Sequence, residues 1–108
     1  LQKGITLSGG EPFLQAEALI DITKEAKGLG MDVWAYTGFR FEYLVNEKNP
    51  NYDHHIGLLQ SVDALVDGRY MEQKRSVHLL FRGSSNQRII DVQQSLLKQE
   101  VVYFKEYM

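Results

Sequence analysis

The residues with the clearest capacity for chemistry form one short stretch, Ser8-Gly9-Gly10-Glu11-Pro12. Two adjacent glycines permit positive φ and carry no Cβ, so a ligand can approach their main-chain N–H and C=O groups closely. Glu11 adds a carboxylate, which together with exposed carbonyls can bind an ammonium group, while N–H groups at a helix start can bind a carboxylate. Those are the two ends of an amino acid. An ordinary strand-to-helix turn with an acidic residue at the helix start accounts for the same pattern equally well.

Strands alternating with helices are predicted to position this stretch. Residues 5–7, 31–36, 62–66, 88–92 and 101–104 have the composition of short strands. Shorter helices are predicted within 41–45, 54–60 and 94–98, and most of 69–85 is predicted as loop. The longest predicted helix has apolar residues at three- and four-residue steps, which indicates one buried face. That predicted face consists of Leu14, Ala18, Leu19, Ile22, Ala26 and Leu29.

This alternation predicts an α/β fold of parallel βαβ units, in a single domain over residues 1–108. Loops that follow the carboxyl ends of parallel strands lie at one rim of the sheet, where ligands bind. Three loops have that position: residues 8–12, Thr37 with Gly38, and Asp67 with Gly68. We expect them to converge. A tight turn explains Thr37 and Gly38 equally well, and a capping role is favoured for Asp67.

Composition and charge exclude several classes of function. The 108 residues carry a formal net charge of -2, which does not favour nucleic acid or an anionic membrane as partner. No apolar run is long enough to span a bilayer, and a cytoplasmic location is expected. The chain has no cysteine, so it has neither disulfides nor thiolate ligands for a metal. His54, His55 and His78 lack an acidic neighbour at metal-ligand spacing, and we expect them to be exposed and without a role.

Four segments, in the right order, resemble the glycyl-radical activases of the radical S-adenosylmethionine class. Residues 4–12 are similar to the Gly-Gly-Glu-Pro segment of that family, and residues 32–39, 62–70 and 81–92 resemble later segments. The last segment contains the most specific string, Arg82-Gly83-Ser84-Ser85-Asn86-Gln87. Within the family, it looks most like the activases of anaerobic ribonucleotide reductase. The resemblance ends at residue 92, and residues 93–108 are assigned no role.

The resemblance implies a fold, cofactors and partners. The fold is the C-terminal part of a partial (βα) barrel of the radical S-adenosylmethionine type. The cofactors are S-adenosylmethionine and a 4Fe-4S cluster, held in the family by three cysteines spaced CxxxCxxC upstream of the Gly-Gly loop. The partners are the catalytic subunit of anaerobic ribonucleotide reductase, which receives a glycyl radical, and an electron donor such as flavodoxin. By the same resemblance, Gly9, Gly10 and Glu11 bind the methionine moiety, and Pro12 of the same segment is counted with them. Thr37, Gly38 and Asp67 are expected as further cofactor contacts because of their position at the rim.

The chain departs from the family pattern because it has no cysteine, and it opens at Leu1 directly before a strand. We therefore expect a fragment without the cluster-binding segment, inactive by itself. Three alternatives remain open. The chain can belong to an activase of another glycyl-radical enzyme such as pyruvate formate-lyase, which residues 82–87 argue against. It can also be a non-catalytic α/β module for an amino-acid-like ligand, or a docking domain. Arg82, Ser84, Ser85 and Asn86 either shape a docking or cofactor surface or form a solvated turn.

Overall fold

Four short strands form one sheet in a computed structural model that describes residues 4–75, 82 and 84–107. Their order across the sheet follows the chain: β1 (Gly4–Leu7), β2 (Asp32–Tyr36), β3 (Ala64–Asp67) and β4 (Arg88–Asp91). The first three strands are parallel, and their carboxyl ends lie at the same rim. The predicted α/β class is confirmed for the described part of the chain, and the four strands correspond to four of the five predicted ones.

The direction of β4 differs from the prediction of parallel units, because β4 pairs antiparallel with β3. A parallel partner for β3 requires a crossover from one end of the sheet to the other, usually through a helix. The described residues between β3 and β4 contain a three-residue 3-10 turn, Glu72–Lys74, and one isolated antiparallel bridge, Arg75 to Ser84, but no crossover helix. The connection therefore leaves and re-enters the sheet at the same rim, and the sheet is mixed rather than wholly parallel.

Four helices accompany the sheet in the described residues: α1 (Ala16–Gly28), α2 (Phe41–Leu44), α3 (Tyr52–Leu59) and α4 (Val92–Lys98). A 3-10 turn, Pro12–Gln15, leads into α1. The core lies between helices and sheet, where Val33 and Ala35 of β2 belong to the same buried cluster as Leu58 and Leu59 of α3. None of the helices in the described ranges has the length and apolar character required to cross a bilayer.

The buried face of α1 differs from the predicted one. Leu14, Ile22 and Leu29 are 72%, 54% and 69% exposed, so the prediction is wrong for them. Ala18 is exposed as well. The fully buried residues of α1 are Ala16, Thr23 and Ala26. Thr23 can be buried because its hydroxyl donates to the Ile20 carbonyl at 2.9 Å. Because threonine is polar, the apolar periodicity did not include it, and the buried face was predicted at the wrong rotation about the helix axis. Leu14 and Leu29 lie just outside α1, so they do not follow its periodicity.

The tail after α4 packs against the sheet. Residues 101–104, predicted as a strand, make one antiparallel bridge, Ile90 to Tyr103. The Asp91 N–H donates to the Val102 carbonyl at 2.8 Å, and the Phe104 N–H donates to the Ile89 carbonyl at 2.9 Å. The chain then turns through Lys105–Tyr107, and the Tyr107 ring lies edge-on to Trp34 with centroids 5.3 Å apart. Because Trp34 alternates with the buried Val33 and Ala35, the tail covers the sheet face opposite the helices.

Candidate functional site

The three predicted loops meet at the rim formed by the carboxyl ends of β1, β2 and β3. A cavity of about 190 Å³ lies between them. Its lining consists of Gly10, Glu11, Tyr36, Thr37, Gly38, Gly68, Tyr70 and Gln87. Pockets that enclose drug-sized ligands measure roughly 300–1,000 Å³, so this cavity suits one end of a ligand rather than a whole nucleoside derivative. The prediction that these loops converge is confirmed.

Two larger clefts have linings that share no residue with this cavity. One, of about 720 Å³, lies beside the start of α1, and the other, of about 530 Å³, lies beside α2 and α4. Both clefts are open to solvent, and no glycine lines either of them. In the described residues, every buried side-chain nitrogen and oxygen already has a hydrogen-bond partner, so no unpartnered buried group marks either cleft as a binding site.

The Gly-Gly loop has the backbone conformation that requires glycine. Gly9 has φ of 74° and Gly10 has φ of 57°, a region that residues with a Cβ rarely adopt. A Cβ added at Gly9 meets no atom within 4 Å, so the requirement there is conformational rather than steric. Both residues are exposed, and their main-chain groups are open to a ligand.

Glu11 joins the loop after β1 to the loop after β2. Its Oε1 accepts a hydrogen bond from the Gly38 N–H at 2.8 Å, and its Oε2 accepts from Thr37 Oγ1 at 2.8 Å. Oε2 also accepts from the Phe13 N–H at 3.1 Å, which caps the turn that begins at the buried Pro12. A carboxylate has about four acceptor positions, so about one remains for a ligand. Glu11 therefore fixes the relative position of two loops.

Asp67 was predicted to begin the loop after the third strand, but it is the last residue of β3, and it does not line the cavity. Its side chain is fully buried, and it accepts hydrogen bonds from the Phe41 N–H at 2.8 Å and from Arg88 Nε at 2.9 Å. A second Arg88 nitrogen, Nη2, also donates to Asp67. Arg88 bonds to Glu42 as well, at 2.6 and 3.1 Å, and this hydrogen bonding lowers the pKa of Glu42 to about 2. Asp67 thus anchors the start of α2 and the start of β4 beside the cavity.

The turn from Arg82 to Gln87 holds the segment after β3. Gln87 Nε2 donates to the Gly68 carbonyl at 3.0 Å, and Asn86 Nδ2 donates to the Arg69 carbonyl at 2.8 Å. The fully buried Ser84 accepts from the Met71 N–H at 3.1 Å through Oγ. Arg82 closes the turn by donating to the Gln87 carbonyl at 2.9 Å. Several side chains of this string therefore point inward.

Ser85, in contrast, is exposed. Phe81 and Gly83, which belong to the same resembling segment, lie outside the described residues.

Gly68, which the sequence placed with Asp67 in the third rim loop, also lines the cavity. Tyr36, Tyr70 and Gln87 line it as well, and reasoning from the sequence did not identify them as site residues. Tyr36 directly precedes Thr37, and burial raises the pKa of its phenol above the ordinary value. The Tyr70 hydroxyl donates to Glu72 at 2.8 Å. Tyr36 is the last residue of β2 and Gln87 directly precedes β4, so the strand ends are the signal that points to these two, whereas Tyr70 lies further along the loop after β3.

His55 contradicts the expectation of exposed histidines. It is 1% exposed, its Nε2 lies 2.9 Å from the Phe13 carbonyl, and its Nδ1 lies 2.7 Å from Asn49 Nδ2. Its spacing to Leu58 and Leu59 places it on the apolar face of α3, which is a signal that the sequence does contain. His54 is exposed as expected and lies 4.0 Å from Glu17. His78 lies outside the described residues.

The residues described here do not fit an iron–sulfur cluster. The chain contains no cysteine, and its described residues contain no group of three or more histidine, aspartate or glutamate side chains placed to hold a metal ion. The Gly-Gly loop does fit the amino-acid end of S-adenosylmethionine, because both glycines are exposed and Gly10 lines a small cavity next to the Glu11 carboxylate.

Comparisons with known proteins identify the family. A family model described as "4Fe-4S single cluster domain" matches residues 1–90. An anaerobic ribonucleoside-triphosphate reductase-activating protein of Haemophilus influenzae is 30% identical over 92 residues, which are 82% of this chain and 55% of that protein. Proteins of the same name are 32% identical in Escherichia coli K12, over 80% of this chain and 54% of the relative, and 31% identical in Enterobacteria phage T4, over 81% and 52%.

The chain spans about half the length of the curated relatives it matches. No solved structure matches it. The rim site occurs within the part covered by the family model, whereas α4 and the tail follow it. The chain therefore belongs to the 4Fe-4S single-cluster domain family and is similar to the activating proteins of anaerobic ribonucleoside-triphosphate reductase.

Proposed function

We propose that this chain holds the methionine end of S-adenosylmethionine in an enzyme that generates a glycyl radical on anaerobic ribonucleotide reductase. The observation that carries the proposal is the bridge made by Glu11, which joins the Gly9–Gly10 loop to Thr37 and Gly38 beside the rim cavity. The names of the curated relatives support the choice of partner.

In the proposed binding mode, the ligand ammonium group lies against the exposed main chain of Gly9 and Gly10. About one acceptor position of the Glu11 carboxylate adds an ionic contact, and Glu11 mainly keeps the loop in place. Pro12 stiffens the exit of the loop, and Thr37 and Gly38 form the facing wall. Asp67 acts indirectly, by holding α2 and β4 beside that wall.

The proposal for the whole protein extends beyond these residues. A 4Fe-4S cluster held by residues outside this chain would supply the one electron that cleaves bound S-adenosylmethionine into methionine and a deoxyadenosyl radical, and that radical would take a hydrogen atom from a glycine of the partner. The cluster ligands lie outside this chain, and an electron donor such as flavodoxin reduces the cluster in the cytoplasm. The three parallel strands, with helices on one face, are proposed to form the C-terminal part of a partial (βα) barrel.

The decisive experiment compares two glycines that both have positive φ. Gly10 has φ of 57° at the cavity, and Gly30 has φ of 77° in the turn before β2, at the opposite end of the sheet. Gly10→Ala and Gly30→Ala each introduce strain of about 1–2 kcal/mol. We expect Gly10→Ala to weaken the binding of S-adenosylmethionine to the cluster-containing protein at least tenfold, measured by equilibrium dialysis. Gly30→Ala should leave the dissociation constant unchanged, and equal weakening by both variants would reject the proposed site.

The partner is tested separately. The cluster-containing protein is incubated under anaerobic conditions with S-adenosylmethionine, a reductant and either anaerobic ribonucleotide reductase or pyruvate formate-lyase. Electron paramagnetic resonance then reports which enzyme acquires a glycyl radical. We expect the signal on the reductase alone, and a signal only on pyruvate formate-lyase would favour the alternative activase.

A further inference from the structure

We propose that His55, as a neutral imidazole, is a positioning residue that holds the two loops of the candidate site together from behind. The inference rests on the proposed function for the identity of the ligand, but its structural part stands on contacts within this chain. His55 lies on α3 and is 1% exposed, so it does not touch a ligand itself.

The hydrogen bonds of His55 define its protonation state. Asn49 Oδ1 accepts from the Asn51 N–H at 3.0 Å, which orients the Asn49 amide so that Nδ2 faces His55 Nδ1 at 2.7 Å. Nδ2 can only donate, so Nδ1 of His55 is the acceptor and carries no proton. The proton is then on Nε2, which donates to the Phe13 carbonyl at 2.9 Å. Both ring nitrogens are satisfied by a neutral imidazole.

On one side, His55 holds the exit of the Gly-Gly loop. Phe13 follows Pro12 directly, its carbonyl accepts from His55, and its N–H donates to Glu11 Oε2 at 3.1 Å. The two rings also meet edge-on, with centroids 5.7 Å apart. The main chain just after the Gly-Gly loop is therefore held by His55 through the oxygen of Phe13 and by Glu11 through its nitrogen.

On the other side, the His55 ring contacts the exit of the loop after β2. Its centroid lies 6.0 Å from that of Phe39 and 6.3 Å from that of Tyr43, and these two rings stack on each other at 5.2 Å. The Phe39 N–H donates to Thr37 Oγ1 at 3.1 Å, and Thr37 in turn donates to Glu11. His55 thus links from behind the same two loops that Glu11 links at the cavity.

An apolar side chain cannot replace His55 in this role. It would leave one Asn49 N–H without a partner in a buried place, which costs about 1–3 kcal/mol, and it would remove a donor from the Phe13 carbonyl. Substitution of His55 by glutamine or by asparagine tests its two hydrogen bonds one at a time. The amide nitrogen of glutamine can reach the position of imidazole Nε2, whereas asparagine is one methylene shorter and overlaps only with Nδ1.

The test measures amide hydrogen exchange by NMR in His55→Gln, His55→Asn and the control His54→Gln, whose side chain is 52% exposed in the parent chain. The reporters are the Phe13 and Gly38 N–H groups, which both donate to Glu11. We expect exchange of both to be at least tenfold faster in His55→Asn and within about twofold of the parent in His55→Gln and His54→Gln. No change in His55→Asn, or equal acceleration in both His55 variants, would overturn the inference.

The imidazole nitrogen shifts of the parent chain give a second measurement that does not depend on a variant folding. We expect the pattern of a neutral ring protonated on Nε2, and a ring protonated on Nδ1 would overturn the inference. In the cluster-containing protein, His55→Asn should raise the dissociation constant of S-adenosylmethionine about tenfold, and His55→Gln should restore it. If Gly10→Ala leaves that constant unchanged while the exchange results hold, the ligand assignment is wrong and the linkage by His55 stands.

Discussion

Arg88 holds the carboxylate of Asp67 with two guanidinium nitrogens, Nε and Nη2, and the Asp67 side chain is fully buried. The pair lies where β3 ends and β4 begins, directly before Gly68 at the rim cavity. Asp67 also accepts from the Phe41 N–H at 2.8 Å, so one carboxylate secures two strands and the start of α2. The position of the cavity wall therefore depends on a buried ion pair.

Removing the charge of Asp67 should cost far more stability than removing that of Glu42, although Arg88 binds both. Asp67→Asn leaves a guanidinium whose side chain is 13% exposed without its buried partner, and we expect a loss of about 3–5 kcal/mol. Glu42→Gln acts on a side chain that is 58% exposed and should cost about 1 kcal/mol or less. Urea unfolding measures both free energies. Equal losses would show that burial of Asp67 does not determine the strength of the pair.

The Arg88–Glu42 contact should make stability depend on acid pH. Hydrogen bonding to Arg88 holds the pKa of Glu42 at about 2, below its ordinary value of 4.5. A lowered pKa in the folded state means that the contribution is complete above about pH 4.5 and is lost as the pH falls towards 2. Because the side chain is mostly exposed, the amount is about 1 kcal/mol or less. The parent should lose more stability than Glu42→Gln between pH 5 and pH 2, roughly the interval set by the two pKa values.

Adjacent serines of the 82–87 turn should respond differently to substitution. Ser84 is fully buried, accepts from the Met71 N–H and donates to Asn86 Oδ1 at 2.6 Å, whereas Ser85 is exposed. Ser84→Ala should destabilise the chain by about 1–3 kcal/mol, because it leaves a buried N–H without an acceptor. Ser85→Ala should change stability by less than about 0.5 kcal/mol. Thermal unfolding measures both.

Binding to the reductase then tests whether the same turn has a docking role. If Ser85→Ala weakens binding of the cluster-containing protein to the reductase without loss of stability, the exposed side of the turn contacts the partner. Unchanged binding would limit the turn to holding the segment after β3.

Trp34 provides a fluorescence test of the tail, because it is the only tryptophan in the chain. The Tyr107 ring packs edge-on against it at 5.3 Å, and Phe104 lies 5.5 Å from Tyr107. Tyr107→Ala should expose the indole and shift its emission to longer wavelength. Leu97→Ala, at a position that is 76% exposed, is the control and should leave the emission unchanged. An unshifted spectrum for Tyr107→Ala would show that the tail does not cover this face in solution.

Local patterns were sufficient for much of the fold. Strand composition located β1 to β4, and paired glycines located the loop whose φ values are positive. The phase of α1 was not predictable in this way, because the buried Thr23 satisfies its hydroxyl on the Ile20 carbonyl and so behaves as a core residue. A prediction from periodicity uses only the residue types, whereas a polar residue can be buried when the folded chain supplies a hydrogen-bond partner for it.

The sequence by itself determined that the chain is an α/β protein with a glycine-rich loop after its first strand, and that it contains no thiolate ligand for a cluster. Tertiary structure decided what the polar residues do. Glu11 accepts hydrogen bonds that join the loop after β1 to the loop after β2, and the buried His55 donates to the Phe13 carbonyl next to the first of these loops. The reason is physical: strand and turn preferences act between neighbours in the chain, whereas these hydrogen bonds join residues 26 to 42 positions apart, and only the folded chain brings them together.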